Sequence, residues 1–193
     1  LVETKPELPI LFFENAATWR EWLDKNYADP SGVWLKFAKK GTGIVSLNHP
    51  GALDEALCYG WIDGQAKSID ETYYLQKFTP RRTKSIWSKR NIEKVAELIA
   101  GGKMQPSGVA AIEAAKADGR WEQAYDSPKN STVPPDLQTE FDTHPKAESF
   151  YETLSKTNKY AFLWRIQTAK RAETRAKHIV RTIEMLEAGK TYH

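Results

Sequence analysis

The chain has a single cysteine, Cys58, among 193 residues, which excludes an intramolecular disulfide and suits a reducing compartment. A cytoplasmic location is therefore expected. It has no run of about 18 apolar residues able to span a bilayer. The start, Leu1 to Ile10, carries acids and two prolines where a secretory signal would be apolar. Glycine-rich phosphate loops of the Gly-x-Gly-x-x-Gly or Gly-x-x-x-x-Gly-Lys-Ser/Thr kind are absent, so the ordinary nucleotide-binding folds lose support. Neither a Cys-x-x-Cys nor a His-x-x-x-His pair occurs, which leaves no ligand spacing for a structural zinc site. No metal and no cofactor is expected. No internal repeat is visible.

Acids are missing from one stretch in particular. Between Thr72 and Ile92 there is no carboxylate, yet Lys77, Arg81, Arg82, Lys84, Lys89 and Arg90 lie there among Tyr73, Tyr74, Phe78 and Trp87. The formal net charge of the whole chain is only +3, so this positive character is local. Cations gathered without counter-charge must be paired from elsewhere in the fold, left in water or offered to an anion.

What is present in quantity is apolar and aromatic surface. With 40% hydrophobic residues, 27% charged and 11% aromatic, the composition is that of a globular domain with a substantial core. Asn15 is placed to cap a helix carrying Trp19, Trp22 and Leu23 on one face, and Val33, Leu35 and Phe37 alternate as in a strand. Asn48-His49-Pro50 reads as a helix start with Leu53, Ala56 and Leu57 inward and Gly60 as the stop. Trp61 to Ile69 and Thr72 to Thr79 read as a hairpin around Asp70-Glu71.

Beyond Pro80 the periodicity is helical. Ser88 or Asn91 can cap a helix through Ile92, Val95 and Ile99, ended by Gly101-Gly102, and Pro106 starts another that ends at Gly119. The polar, proline-bearing segment 127–135 reads as a linker, followed by helices to the C-terminus. The fold class expected is α+β: a small antiparallel sheet of about three strands flanked by helices, with a helical C-terminal region. The domains expected are an N-terminal extension 1–13, an α+β domain 14–126, the linker, and a helical domain 136–193.

Several motifs in order carry a family resemblance. They are Trp34-Leu35-Lys36 with Lys39-Lys40-Gly41, Glu55-Ala56-Leu57-Cys58-Tyr59-Gly60-Trp61-Ile62-Asp63-Gly64, Phe78-Thr79-Pro80-Arg81-Arg82, Ser85-Ile86-Trp87-Ser88-Lys89 with Asn91, Ala117-Asp118-Gly119-Arg120-Trp121, and Ala169-Lys170-Arg171 with Glu173-Thr174-Arg175. Together they resemble the YdeI/OmpD-associated, or bacteriocin-protection, proteins over roughly Phe13 to Lys190, the C-terminal domain resembling the OmpD-associated segment. The resemblance implies a link to bacteriocin tolerance or envelope stress, and it supplies no catalytic residue set. Asn48-His49-Pro50-Gly51 departs from the family's polar or acidic helix start, so His49 receives no role from it.

The side chains leave three classes of function open. The first is a binding protein that holds a phosphate- or carboxylate-bearing small molecule at the strand-to-helix junction. Arg81, Arg82, Ser85, Trp87, Ser88, Lys89 and Asn91 would supply guanidinium forks, hydroxyls and helix amides there, with Lys36, Trp61, Asp63 and Asp70 nearby. Against it stands internal pairing of Arg81, Arg82 and Lys89 with Asp63, Asp70 or Glu55. The second is nucleic-acid binding, extended to a further basic region from Lys156 to Arg181 with Tyr160 and Trp164. That region also reads as the solvated face of an amphipathic helix. The third is an enzyme using Asp63 and Asp70, or Cys58, beside the arginines. The plain alternatives are turn carboxylates and a core thiol.

Overall fold

A computed structural model describes residues 7–192; the expected extension 1–13 therefore lies partly outside the described residues. Two compact units divide the chain. The first holds the described chain up to Ser85 together with Asn91–Glu122, and the second holds Ile86–Arg90 and the chain from Gln123 onward.

The first unit is α+β. In chain order it comprises β1 (Ile10–Phe12), α1 (Ala16–Asn26), β2 (Val33–Ala38), α2 (His49–Cys58), β3 (Trp61–Ser68), β4 (Tyr73–Pro80), most of α3 (Lys89–Ala100) and α4 (Pro106–Ala117). The sheet runs β1-β2-β4-β3. It has four strands rather than about three, because Ile10–Phe12 pairs in parallel with β2. A three-residue strand is too short to show a period, and its parallel partner lies beyond a whole helix. The other two ladders are antiparallel, as expected.

Local chemistry explains these elements. The Asn15 side chain accepts the Thr18 N–H at 3.1 Å to start α1, and Trp19 and Leu23 are fully buried one turn apart. In β2 the buried residues are Val33, Leu35 and Phe37, the alternation of a strand covered on one face. Trp19, Phe37, Trp61 and Phe78 form an aromatic core, in which each phenylalanine contributes about 1.5–3 kcal/mol relative to exposure. The two indoles of this core are satisfied: Trp19 Nε1 donates to the Ala52 carbonyl at 3.1 Å and Trp61 Nε1 to that of Tyr27 at 2.8 Å.

The β3–β4 ladder is irregular at one place. Its register steps from Asp63↔Phe78 to Ala66↔Gln76, so β3 carries one residue more than β4 there. This is a bulge. Gln76 closes it by donating from Nε2 to the Gly64 carbonyl at 2.6 Å.

The second unit is helical. It contains α5 (Pro135–Thr143), α6 (Pro145–Thr153), α7 (Lys156–Gln167) and α8 (Ala172–Glu187), packed on Leu137, Phe141, Tyr151, Phe162, Ile166 and Leu186 among others. Prolines at the first helical positions of α5 and α6 match the expected starts. The segment Ile86–Arg90 is tied into this unit by a Lys89 N–H to Tyr125 carbonyl bond at 3.0 Å and a Tyr125 N–H to Trp87 carbonyl bond at 3.1 Å.

Candidate functional site

The strand-to-helix junction is divided between the units: Arg81, Arg82, Ser85 and Asn91 belong to the first, and Trp87, Ser88 and Lys89 to the second. Arg82 and Ser85 are brought together. The Arg82 N–H donates to Ser85 Oγ at 3.0 Å and the Ser85 N–H returns to the Arg82 carbonyl at 2.9 Å. Arg120, held by Asp118, donates to the Ser85 carbonyl at 2.8 Å. Arg81 is half-buried and gives its N–H to the Gly60 carbonyl at 2.9 Å. Trp87, Ser88 and Asn91 are buried. Lys89 Nζ lies 2.9 Å from Asp126.

The acids named as internal partners for these cations are engaged elsewhere. Glu55 takes Arg20 at 2.7 Å, Asp63 takes His49 at 2.9 Å, and Asp70 accepts the N–H groups of Thr72 and Tyr73 at 2.7 Å each. Those backbone bonds, helped by Lys36 and Lys39, hold the Asp70 carboxyl below its usual range. Asp70 is thus a turn residue. Asp63 pairs across from Phe78 at one end of the hairpin and Asp70 closes the other, so the two carboxylates share no site. Lys36 lies in β2 with Nζ 3.8 Å above the Tyr73 ring, and Trp61 is core.

A groove in the first unit assembles a different set. Where β2 ends, the chain bends through Lys39-Lys40-Gly41-Thr42-Gly43, with φ of 92° and 72° at the two glycines, a left-handed geometry that a side chain would oppose. It then re-enters helix at α2, where Asn48 Oδ1 accepts the Gly51 N–H at 2.9 Å. Between loop and helix lies a space of about 580 Å³ lined by Lys39, Lys40, Thr42, Ser46, His49 and Tyr74 among others, and by no carboxylate among the described residues.

His49 is the chemical centre of this groove. It occupies the first turn of α2, packs edge-on to Phe37, and sets Nε2 2.9 Å from Asp63 Oδ2, both side chains being about a quarter exposed. Its Nδ1 makes no hydrogen bond among the described residues. In the neutral ring an Nε2–H donated to Asp63 leaves Nδ1 as the acceptor, and the charged ring donates from both nitrogens. Burial pushes the Tyr74 phenol up, so it remains a hydroxyl. Lys39 Nζ is held by Ser68 Oγ at 3.2 Å and the Asp70 carbonyl at 2.6 Å, whereas Lys40 is exposed and forms no ion pair among the described residues.

The sequence reading named Asp63 and passed over His49, Lys39 and Lys40. The available signal was the double-lysine, double-glycine loop running into a capped helix; that its histidine meets a β3 carboxylate is a tertiary fact. Cys58 does not join the site. Its side chain is fully buried, and burial pushes its thiol up. No group of three or more His, Cys, Asp or Glu residues able to hold a metal occurs among the described residues, and no helix there is long and apolar enough to cross a membrane.

Residues 11–111 match the family model described as Domain of unknown function (DUF8412). The chain belongs to that family. The DUF8412 match runs from within β1 to the middle of α4, and so covers the entire His49–Asp63 groove. Residues 130–189, which span α5 to α8, match the model described as Bacteriocin-protection, YdeI or OmpD-Associated. The resemblance read from the motifs is thereby supported over 130–189. No curated protein and no solved structure matches the chain significantly.

Proposed function

We propose that the first unit binds a small phosphate- or carboxylate-bearing metabolite in the groove between the 39–48 loop and α2. The observation that carries this reading is the His49–Asp63 pair, 2.9 Å apart, set beside a concave surface that holds two lysines and three hydroxyls without an acid. The carboxylate fixes the imidazole and leaves Nδ1 for the ligand. Lys40 adds charge from the rim. The space falls within the range of about 300–1,000 Å³ that small-molecule sites occupy. Bacteriocin protection is proposed as the setting, from the family that residues 130–189 match.

The junction anion site is the weaker placement for the same chemistry. Ser85, Lys89 and the Arg82 backbone have internal partners there, whereas Nδ1 of His49 has none among the described residues. A second reading rests on the same pair: a His held by an Asp is the arrangement of a general base, so proton abstraction from the bound metabolite is the enzymatic form of this proposal.

A thermal-shift screen of phosphorylated metabolites, nucleotides and organic acids tests it. A ligand at 100 times its dissociation constant adds about 2.7 kcal/mol to apparent stability, a readily measured rise. The rise is expected to vanish in His49→Gln, to shrink in Lys40→Ala and to persist in Arg82→Ala. A screen without hits overturns the proposal. So does a hit that His49→Gln keeps and Arg82→Ala loses.

A further inference from the structure

The second unit contains a concave basic site of its own, formed by the last turn of α7, the 168–171 connection and the first two turns of α8. It has a volume of about 420 Å³ and is lined by Trp164, Arg165, Thr168, Lys170, Arg171 and His178 among others, with no carboxylate among the described residues. We propose that this cavity binds a nucleoside phosphate, either as a free nucleotide or as an exposed nucleotide of a single strand. The site belongs to the second unit, and its ligand does not depend on what the His49 groove binds.

Three observations converge on that ligand. The first is the aromatic plate. Trp164 is 38% exposed on a helix whose Phe162, Leu163 and Ile166 are buried, so the largest side chain of α7 is turned away from the core that would stabilise it. A ring presented beside cations is the means by which proteins hold an unstacked base.

The second is the fate of the neighbouring charges. Within α8 the cations are paired: Arg175 with Asp136 at 2.6 Å, Lys177 with Glu173 at 2.6 Å and Arg181 with Glu184 at 3.3 Å. Lys170 and Arg171 are exposed, and neither forms an ion pair among the described residues. They are also the pair at the cavity.

The third is shape and size. The space suits one base with its sugar and phosphate, and a concave site of this size excludes a stacked duplex. Arg171 stands at the N-cap of α8 and places no side-chain acceptor on the helix's first amides, so the backbone there adds donors to those of the two cations. Base on Trp164 and phosphate at Lys170–Arg171 together use the whole cavity.

The test uses the full chain and three probes at low salt: adenosine monophosphate, inorganic phosphate, and a labelled oligothymidine of about eight nucleotides with its duplex as comparison. Calorimetry is expected to show adenosine monophosphate binding more tightly than phosphate, and anisotropy to show the single strand binding more tightly than the duplex. A strand that binds no better than the mononucleotide identifies free nucleotide as the ligand; a strand that binds better identifies single strands. Trp164→Ala is expected to weaken binding about five- to hundredfold, with Trp164→Phe retaining most of it. Lys170→Ala with Arg171→Ala is expected to weaken binding and flatten its salt dependence, while Lys146→Ala on α6 changes neither. Circular dichroism checks that each variant is folded. Absence of binding by both nucleotide probes overturns the proposal. Equal affinity for phosphate and nucleotide, or binding that survives Trp164→Ala unchanged, also overturns it, since a charged surface without base recognition would behave so.

Discussion

Cys58 closes α2 with no solvent-exposed surface, and the burial that raises its thiol also removes it from reagents. A thiolate is the reactive form, and a buried neutral thiol reacts only when the chain opens. Ellman's reagent should therefore label native protein slowly and label it fully within minutes once the chain is unfolded in guanidinium. Rapid stoichiometric labelling of folded protein would show that the thiol is accessible after all. The same residue scale shows where reading side chains in order reaches its end. A thiol in the last turn of an apolar-faced helix was legible as a core group, and Asp63 as a polar group worth naming. His49 was not legible, because its worth depends on Asp63, fourteen positions away on another element.

Helix α4 crosses α2 at a contact that only glycine permits. A Cβ at Gly108 would stand 2.1 Å from the Cys58 carbonyl oxygen, the same oxygen that accepts the Gln105 N–H at 3.0 Å. Alanine ordinarily gains about 1 kcal/mol over glycine inside a helix. Here the overlap with backbone should outweigh that gain, and Gly108→Ala is expected to destabilise the protein by about 1–3 kcal/mol in urea unfolding. An unchanged or raised midpoint would mean that the helices can separate at no cost. Elements with strong punctuation were readable beforehand: Asn15, Asn48 and the prolines at 50, 106, 135 and 145 each stand at the start of an observed helix. β1 lacked any such mark, since it exists through its pairing with β2 rather than through a pattern of its own.

For the whole molecule the relevant quantity is the distribution of a small net charge. Much of the basic C-terminal region is neutralised internally, and one ion pair links several elements: Arg175 holds Asp136 of α5 while its Nη1 donates to the Ile166 carbonyl of α7 at 2.9 Å. The hydrogen bond from Arg175 keeps the Asp136 carboxyl below its usual range. The native state thus binds fewer protons than the unfolded chain, whose carboxyl titrates near pH 3.9 by about the ordinary value. The contribution is present in full above about pH 4 and is lost as pH falls through the depressed native value. Asp136→Asn should cost about 0.5–1 kcal/mol at pH 7, discounted because both groups are partly exposed. The gap to wild type should close in acid. Urea midpoints across pH measure it, and a gap that widened on acidification would contradict the assignment.

The bulge between Asp63 and Ala66 has an effect beyond its own hairpin. Among the described residues β3 ends one side of the sheet and pairs with β4 alone, so its outer rim of backbone groups is a place where a second chain could add a strand. An extra residue breaks the even spacing that such an addition needs, and the exposed Lys67 just beyond it places charge on the same rim. The irregularity thus gives a protein with an open sheet edge a defence against stacking on its own copies.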